Sequence, residues 1–247
     1  RIKKIKRIQK WIKENENLII NTSIQDYKKP ITEFYTTEFK PVLNHIKFTL
    51  KNIKKWSSIK SVWNPIHLLG TQSKIYYEPK GVCLIISPWN YPFNLTLNPV
   101  ISAISAGNCV IVKPSEFTPN MSSLMSKMLS SIFEENEVKV VEGGKDIGEY
   151  LINLNFDHIF FTGSPKIGSI VMQAAAKNLS SITLELGGAN HTIVDESANI
   201  QDAVEKILWT KYLNCGQTCL AVNHVFVHSK IYDIFLSKLV VVLEKFF

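Results

Sequence analysis

From Gly81 to Val194, short uninterrupted apolar segments alternate with helical patterns, and this alternation constrains the fold more than any other feature. Such segments are typical of strands buried on both faces of a parallel sheet. Strands separated by helices form βαβ units, so the sequence predicts an α/β fold with a doubly wound, Rossmann-type parallel sheet. The predicted strands are Gly81–Ser87, Cys109–Val112, Val138–Val141, His158–Thr162, Ser181–Leu186 and Thr192–Val194. The predicted helices are Leu95–Ala106, Thr118–Leu129, Asp146–Leu154 and Pro165–Asn178.

The first 60 residues form a basic section. They contain 15 Lys and Arg against 5 Asp and Glu, whereas the whole chain has 28 against 21. A basic end could bind nucleic acid or an anionic membrane surface. Its apolar residues, however, recur at helical spacing from Ile2 to Ile12 and from Tyr35 to Trp56, with cationic side chains between them. We therefore predict two amphipathic helices packed on a larger domain, and no nucleic-acid partner.

Composition excludes several classes of protein. With 45% hydrophobic and 20% charged residues the chain is too apolar for global disorder. No run approaches 18 apolar residues and no secretory signal pattern occurs, so we expect no membrane segment in this chain. Four cysteines do not make a disulfide scaffold, and they fit a reducing compartment. The expected location is the cytoplasm.

Two polar turns follow predicted strands, where doubly wound sheets bind ligands. Phe161–Gly168 places Gly163, Ser164 and Pro165 at the start of a helix, whose amides could take a phosphate. A structural turn between strand and helix would look the same. In the second turn, Lys113 and Glu116 could hold a ribose through its hydroxyl groups, or form an exposed salt bridge. The sequence leaves these alternatives open.

Cys219 is a candidate nucleophile because it lies in a polar, glycine-containing turn, where a thiol is accessible. A buried cysteine would merely pack. Cys215, Cys219, His224 and His228 also suggest zinc, but the gap between the two pairs is far shorter than in a zinc finger. Residues Ala221–His228 alternate as a strand does, so the histidines would not lie one helical turn apart. No metal site is predicted.

Two further polar residues are placed for chemistry. Glu185 lies at the end of an apolar strand, where burial is costly, and it could be a general base with a raised pKa or pair with a lysine. Asn90 lies in a loop that Pro88 and Pro92 stiffen. A fixed amide beside a nucleophile suits an oxyanion site, although Asn90 could equally cap its own backbone.

Taken in order, these motifs resemble the aldehyde dehydrogenase superfamily. They read Pro-Trp-Asn-Tyr-Pro, Lys-Pro-Ser-Glu, Phe-Thr-Gly-Ser, Glu-Leu-Gly-Gly and Asn-x-Gly-Gln-x-Cys. The phrases GVCLIISPWNYPF and NCGQTC are most similar to the class 3 and fatty aldehyde dehydrogenase branch, and the resemblance covers nearly the whole chain. It implies oxidation of an aldehyde, with an aliphatic one expected, to the carboxylic acid with NAD or NADP.

The resemblance also implies residue roles. Cys219 would attack the aldehyde, Asn90 would stabilise the oxyanion, and Glu185 would activate water to release the acid from a thioester. Glu116 beside the ribose would hinder a 2′-phosphate on charge grounds, but NAD and NADP both stay possible. The family works as oligomers, and we expect a homodimer when the protein is full length. The implied cofactor-binding residues are Lys113, Glu116, Gly163, Ser164, Pro165, Lys166, Ile167, Gly168 and Trp89.

The chain departs from the family pattern in two respects. Ala189 replaces a lysine, His191 a proline, and Val222 and Asn223 a Pro-Asp pair. The Glu-x-Phe-Gly-Pro motif that follows the cysteine in the family does not occur in these 247 residues. We therefore expect an N-terminal part of the enzyme: an NAD(P)-binding domain over 1–185 and an incomplete catalytic domain over 186–247, with little turnover by itself. The alternative is a non-catalytic truncated or degenerate homologue that at best binds nucleotide.

Overall fold

The computed structural model describes residues 1–246, which divide into two compact units, 1–185 and 186–246. The helices are α1 (Ile2–Glu14), α2 (Glu16–Tyr27), α3 (Ile31–Phe34), α4 (Lys40–Trp56), α5 (Pro92–Ala106), α6 (Pro119–Ile132), α7 (Lys145–Ile152), α8 (Pro165–Lys177), α9 (Ile200–Tyr212) and α10 (Tyr232–Phe246). The strands are β1 (Lys60–Val62), β2 (Ser73–Ile75), β3 (Val82–Ile86), β4 (Cys109–Lys113), β5 (Val138–Val140), β6 (His158–Gly163), β7 (Ser181–Leu186), β8 (His191–Val194) and β9 (His224–Val227).

A five-stranded sheet in the order β5-β4-β3-β6-β7 forms the centre of the first unit. Strand β3 pairs in parallel with β4 and with β6, and β4 pairs in parallel with β5. Chain order along the sheet reverses between β3 and β6, which is the arrangement of a doubly wound fold. The predicted Rossmann-type sheet is therefore confirmed.

The predicted N-terminal helices pack on one side of this sheet. Helix α1 buries Ile5, Ile8 and Ile12 in the same hydrophobic core as α4, α5 and α6. Most of its cationic residues are exposed, and Lys4 and Arg7 donate to the carbonyls of Ile132 and Ser131 at the end of α6. The second predicted helix, Tyr35 to Trp56, is helical throughout, but its first five residues, Tyr35–Phe39, form a π-helical turn that connects α3 to α4. A bilayer-crossing helix is not found among residues 1–246, since none there combines sufficient length and hydropathy.

Several element boundaries differ from the predicted ones. Helix α5 begins at Pro92 rather than Leu95, because proline fits the first turn of a helix. Strand β2 pairs with β1 in an exposed antiparallel ribbon, a pairing that the sequence did not indicate. Helix α2 was also missed. It buries Thr22 and Ser23, whose hydroxyls donate to the carbonyls of Leu18 and Ile20, so its buried face is partly polar.

The second unit is a smaller α/β arrangement. Strands β8 and β9 pair in parallel, and helix α9 lies between them in the chain, so the three elements form a βαβ unit. Val204 and Leu208 of α9 pack with Phe235 and Val242 of α10 in a separate hydrophobic core. These residues thus form a second α/β unit with its own core.

His158 links two strands at the edge of the large sheet. Its Nδ1 lies 2.8 Å from Ser181 Oγ and its Nε2 lies 3.2 Å from Thr183 Oγ1, both on β7. Burial, together with the charge of Lys80, lowers the pKa of the imidazole below its ordinary value of 6.5. The folded state therefore favours the neutral form of the His158 imidazole.

We expect the His158→Gln variant to lose part of the acid sensitivity of folding. Because the folded pKa lies below the unfolded one, the contribution of His158 to stability is complete above about pH 6.5 and is lost as the pH falls through the folded pKa. Urea unfolding at a series of pH values should show a shallower acid decline in His158→Gln than in the wild type. His67→Gln, at an exposed position, is the control; equal slopes in all three proteins would contradict the expectation.

Candidate functional site

Three of the predicted site segments follow neighbouring strands at one edge of the large sheet. Ile86, the last residue of β3, lies opposite Lys113 of β4 on one side and opposite Phe161 of β6 on the other. The amide of Ser87 donates to the carbonyl of Lys113 at 3.1 Å, so the register continues past the strand ends. This edge includes the point where the strand order reverses, at which doubly wound sheets bind ligands.

The turn over 163–168 begins α8 as the sequence predicts. Ser164 caps the helix by accepting a hydrogen bond from the amide of Ile167 at 3.4 Å, and Pro165 occupies the first turn. Gly163 does not have the left-handed backbone expected of a sharp turn. A Cβ at that position would lie 2.5 Å from Phe161 Cζ, so small size is what the position requires. Ser164 to Ile167 are exposed, and the start of the helix is open to a ligand.

Lys113 and Glu116 form an ion pair with 2.7 Å between Nζ and Oε2. The lysine side chain is only 6% exposed and the glutamate 36%, so this is not the exposed salt bridge that the sequence left open. Desolvation by burial acts to raise the pKa of the Glu116 carboxyl, but the hydrogen bond and charge of Lys113, with a backbone hydrogen bond, hold it below its usual range. Glu116 therefore stays ionised, with its carboxylate partly open to solvent.

Asn90 lies in the loop between β3 and α5, beside the half-exposed ring of Trp89. Its backbone carbonyl accepts a hydrogen bond from Lys29 Nζ at 3.3 Å. Sequence reasoning missed Lys29 and its partner Glu38. A signal was available, because Glu38 precedes Val42 and Ile46 at intervals of four and therefore falls on the apolar face of the helical pattern.

Glu185 lies on β7, and its side chain is exposed. The predicted burial of this carboxylate is wrong, because β7 is the outer strand of the sheet and its residues are half-buried or exposed. Among the residues that the structure describes, no lysine forms an ion pair with it. Glu185 is thus available to solvent and to a water molecule.

Cys219 belongs to the second unit, and its thiol is exposed as predicted. The Asn190 side chain donates to the carbonyls of Cys219 at 2.6 Å and Ala221 at 2.9 Å, which fixes the loop on both sides of Leu220. Upstream, Asn214, Cys215 and Gly216 have φ values of 54°, 54° and 77°. Successive left-handed residues are strained when a Cβ is present, so the loop has a defined shape imposed by its surroundings.

The positions that depart from the family pattern take part in local contacts of the second unit. The side-chain amide of Asn223 donates to the backbone carbonyl of Gly188 at 3.1 Å. The backbone amide of Asn223 donates to the backbone carbonyl of Asn190 at 3.2 Å. The rings of His191 and His224 lie 5.3 Å apart across the β8–β9 pair. No cluster of three or more His, Cys, Asp or Glu side chains suited to a metal ion occurs within residues 1–246.

The site residues are therefore distributed over both units. The Asn90 loop, the Lys113–Glu116 pair and the 163–168 turn meet at one sheet edge of the first unit, and Glu185 lies on that unit's outer strand. Cys219 lies in the second unit. The candidate nucleotide-binding residues of the first unit thus lie at one sheet edge, and the candidate nucleophile Cys219 lies in a loop of the second unit.

Comparison with known proteins identifies the family. The model of the aldehyde dehydrogenase family matches residues 1–246. 4,4′-Diaponeurosporen-aldehyde dehydrogenase of Staphylococcus aureus is 42% identical over 247 residues, which are 100% of this chain and 54% of that protein. Aldehyde dehydrogenase family 3 comG of Dictyostelium discoideum is 38% identical over 248 residues, covering 100% of this chain and 53% of that protein.

A solved structure gives the same result. The substrate-bound state of Staphylococcus aureus AldH superposes with a TM-score of 0.96 at 42% identity, covering 99% of this chain and 54% of that one. The chain spans about half the length of the curated relatives it matches. The predicted resemblance, including its class 3 branch, is confirmed, and the chain belongs to the aldehyde dehydrogenase family.

Proposed function

We propose that the protein oxidises an aldehyde to the carboxylic acid with NAD or NADP, and that an aliphatic aldehyde is its substrate. The observation that supports this most strongly is the exposed Cys219 thiol in a loop fixed by Asn190, in a chain of this family. Members of the family use NAD or NADP. In this proposal residues 1–185 bind the nucleotide and residues 186–247 belong to the catalytic domain.

The residues at the sheet edge fit a dinucleotide. Lys113 offers a donor and Glu116 an ionised acceptor side by side, a combination suited to two ribose hydroxyl groups. The exposed start of α8 offers backbone amides to a pyrophosphate, and the missing Cβ of Gly163 leaves that turn compact. Trp89 offers an exposed ring at the same edge. When bound, the cofactor accepts the hydride.

Cys219 performs the covalent chemistry in this proposal. Its thiolate attacks the carbonyl carbon to form a thiohemiacetal, and the Asn90 amide and the backbone N–H of Cys219 stabilise the oxyanion. Departure of hydride from that carbon leaves a thioester on Cys219. Glu185 takes a proton from water, which attacks the thioester, releases the carboxylic acid and restores the thiol. The side chains assigned to these steps, those of Cys219, Asn90 and Glu185, all lie within residues 1–246.

Nucleotide binding without turnover is the second candidate. The exposed position of Glu185 and the alanine at 189 favour it, because both weaken the argument for a tuned general base. An assay with an aliphatic aldehyde and NAD or NADP, on a protein of the full length of its relatives, distinguishes these two functions by the amounts of reduced nucleotide and acid formed. Equal amounts of reduced nucleotide and acid support oxidation, whereas binding with no reduced nucleotide would contradict it.

We expect Lys113→Met to weaken nucleotide binding by about ten- to a hundredfold, the effect of losing a hydrogen bond from a charged group. Titration calorimetry of the 247-residue chain with NAD and with NADP measures this. Lys139→Met is the matched control, because Lys139 also pairs with a glutamate, Glu135, but at an exposed position on β5. Unchanged affinity in Lys113→Met, or an equal loss in the control, would contradict the assignment.

The assembly and location of the whole protein are also proposals. The family resemblance supports a homodimer, and the small number of cysteines supports the cytoplasm.

A further inference from the structure

A buried ion pair that takes no part in the chemistry above lies beside the Asn90 loop. Lys29 Nζ is 2.7 Å from Glu38 Oε1, and the two side chains are 1% and 0% exposed. Removing two charges from water costs several kcal/mol for each ion, and a pair of well-packed apolar residues is often at least as stable. Stability alone is therefore a weak reason for this pair to be present.

Besides Lys29, the Glu38 carboxylate accepts two further hydrogen bonds. The hydroxyl of Tyr27 donates to Oε1 at 2.9 Å, and the amide of Phe93 donates to Oε2 at 3.0 Å. Phe93 is the second residue of α5, and the first, Pro92, has no amide hydrogen. No side chain of the preceding residue caps the helix, so Glu38 supplies the negative charge that a helix N-terminus favours.

Lys29 contacts the other side of the same loop. Its Nζ donates to the Asn90 carbonyl at 3.3 Å and lies 4.2 Å from the centroid of the Tyr91 ring. The cation thus holds residues 90 and 91, while the anion holds residue 93. The loop is fixed from both directions by one pair of charges that solvent does not reach.

We propose that Lys29 and Glu38 are positioning residues that hold Asn90 where its amide can stabilise the oxyanion. The inference rests on the proposed role of Asn90. An oxyanion donor is effective only when it is fixed before charge develops, because reorganisation during the reaction costs free energy. A pair with this role should affect the rate constant for turnover more than the binding of the aldehyde.

The double variant Lys29→Met/Glu38→Gln tests the proposal. It removes both charges, and the side-chain amide oxygen introduced at position 38 can still accept from the Phe93 amide, so folding is preserved. Hydrogen exchange of the 247-residue chain should show amides 89–95 exchanging about tenfold faster, with the strands of the sheet unchanged. In the catalytically active protein, kcat should fall about tenfold while KM for the aldehyde stays within about twofold.

The matched control is Lys145→Met/Glu149→Gln, which makes the same substitutions in an exposed pair on α7. It should leave both measurements unchanged. Unchanged exchange over 89–95 in the Lys29/Glu38 double variant would overturn the proposal, as would faster exchange across the whole sheet, which is the signature of a purely structural pair. A rise in KM with constant kcat would overturn it too.

A further variant and a comparison with the unsubstituted protein distinguish failure of this proposal from failure to fold and from failure of the proposed function. If the double variant does not fold, Glu38→Asp, which keeps both charges but draws the carboxylate back from the Phe93 amide, should accelerate exchange over 89–95 by about threefold, the effect of weakening one hydrogen bond; no local change would overturn the proposal. If the unsubstituted protein reduces no nucleotide with any aldehyde, the proposed function fails, and the exchange measurement still decides whether the pair fixes the loop.

Discussion

Cys219→Ser is expected to abolish aldehyde oxidation, with turnover reduced by about 10⁴-fold or more, as for loss of a catalytic nucleophile in other enzymes. A serine hydroxyl ionises far less readily than a thiol, so it is a much weaker nucleophile at neutral pH. Because Cys219 is exposed and the loop is held through backbone carbonyls, the substitution should leave the fold unchanged. Steady-state formation of reduced nucleotide in the catalytically active protein measures the effect.

The loop itself supplies the control. Cys215 is also exposed and lies four residues before Cys219, so Cys215→Ser changes a second accessible thiol in the same segment. We expect this variant to retain turnover within about threefold and both variants to bind NAD with wild-type affinity. Wild-type turnover in Cys219→Ser, or an equal loss in Cys215→Ser, would remove Cys219 from the mechanism.

Lys29→Met is expected to destabilise the first unit by about 3–5 kcal/mol, the usual consequence of leaving one charge of a buried pair without its partner. Desolvation already raises the pKa of the Glu38 carboxyl above its ordinary value, even with Lys29 acting to lower it. A carboxyl whose folded pKa is raised favours folding below its unfolded pKa, and this contribution is lost as the pH rises through the folded pKa. The variant should therefore be least destabilised in acid and most destabilised near neutral pH.

Urea unfolding measures this dependence over a range of about pH 4 to 8, which runs from the ordinary pKa of glutamate, about 4.3, to above neutral pH. The double variant Lys29→Met/Glu38→Gln should recover most of the lost free energy of unfolding, because it leaves no isolated charge. A single variant within about 1 kcal/mol of the wild type at neutral pH would show that the pair is not buried in solution.

The sequence predicts the large sheet well, for a physical reason. A strand covered on both faces must be apolar throughout, so β3, β4 and β6 are visible as continuous apolar runs that lie between turn residues. The polar turns that follow them could be assigned to one sheet edge for the same reason. Helix α2 has no such pattern, because hydroxyl groups that bond to their own backbone occupy part of its buried face.

The less predictable features depend on distant partners. The sequence does not show that Glu185 lies on an outer strand, since strand order is decided by the packing of the whole sheet. It likewise does not show that Lys29 reaches Asn90, which is 61 residues further along the chain. Local patterns predict elements and the turns that follow them, whereas exposure and long-range pairing require the assembled sheet.

Because of the π-helical turn over Tyr35–Phe39, the number of residues in this segment matters as much as their identity for the contacts that it makes with Phe93. Phe34 and Phe39 both contact the ring of Phe93, at centroid distances of 6.1 and 6.4 Å. Five residues of a regular α-helix would separate them by about 140° around the axis, too far for both to meet one ring. Loss of a single residue here would rotate Glu38 away from Phe93 even if every other side chain were kept. A relative that lacks one residue at this point would therefore have to hold the Asn90 loop through contacts other than that of Glu38 with Phe93.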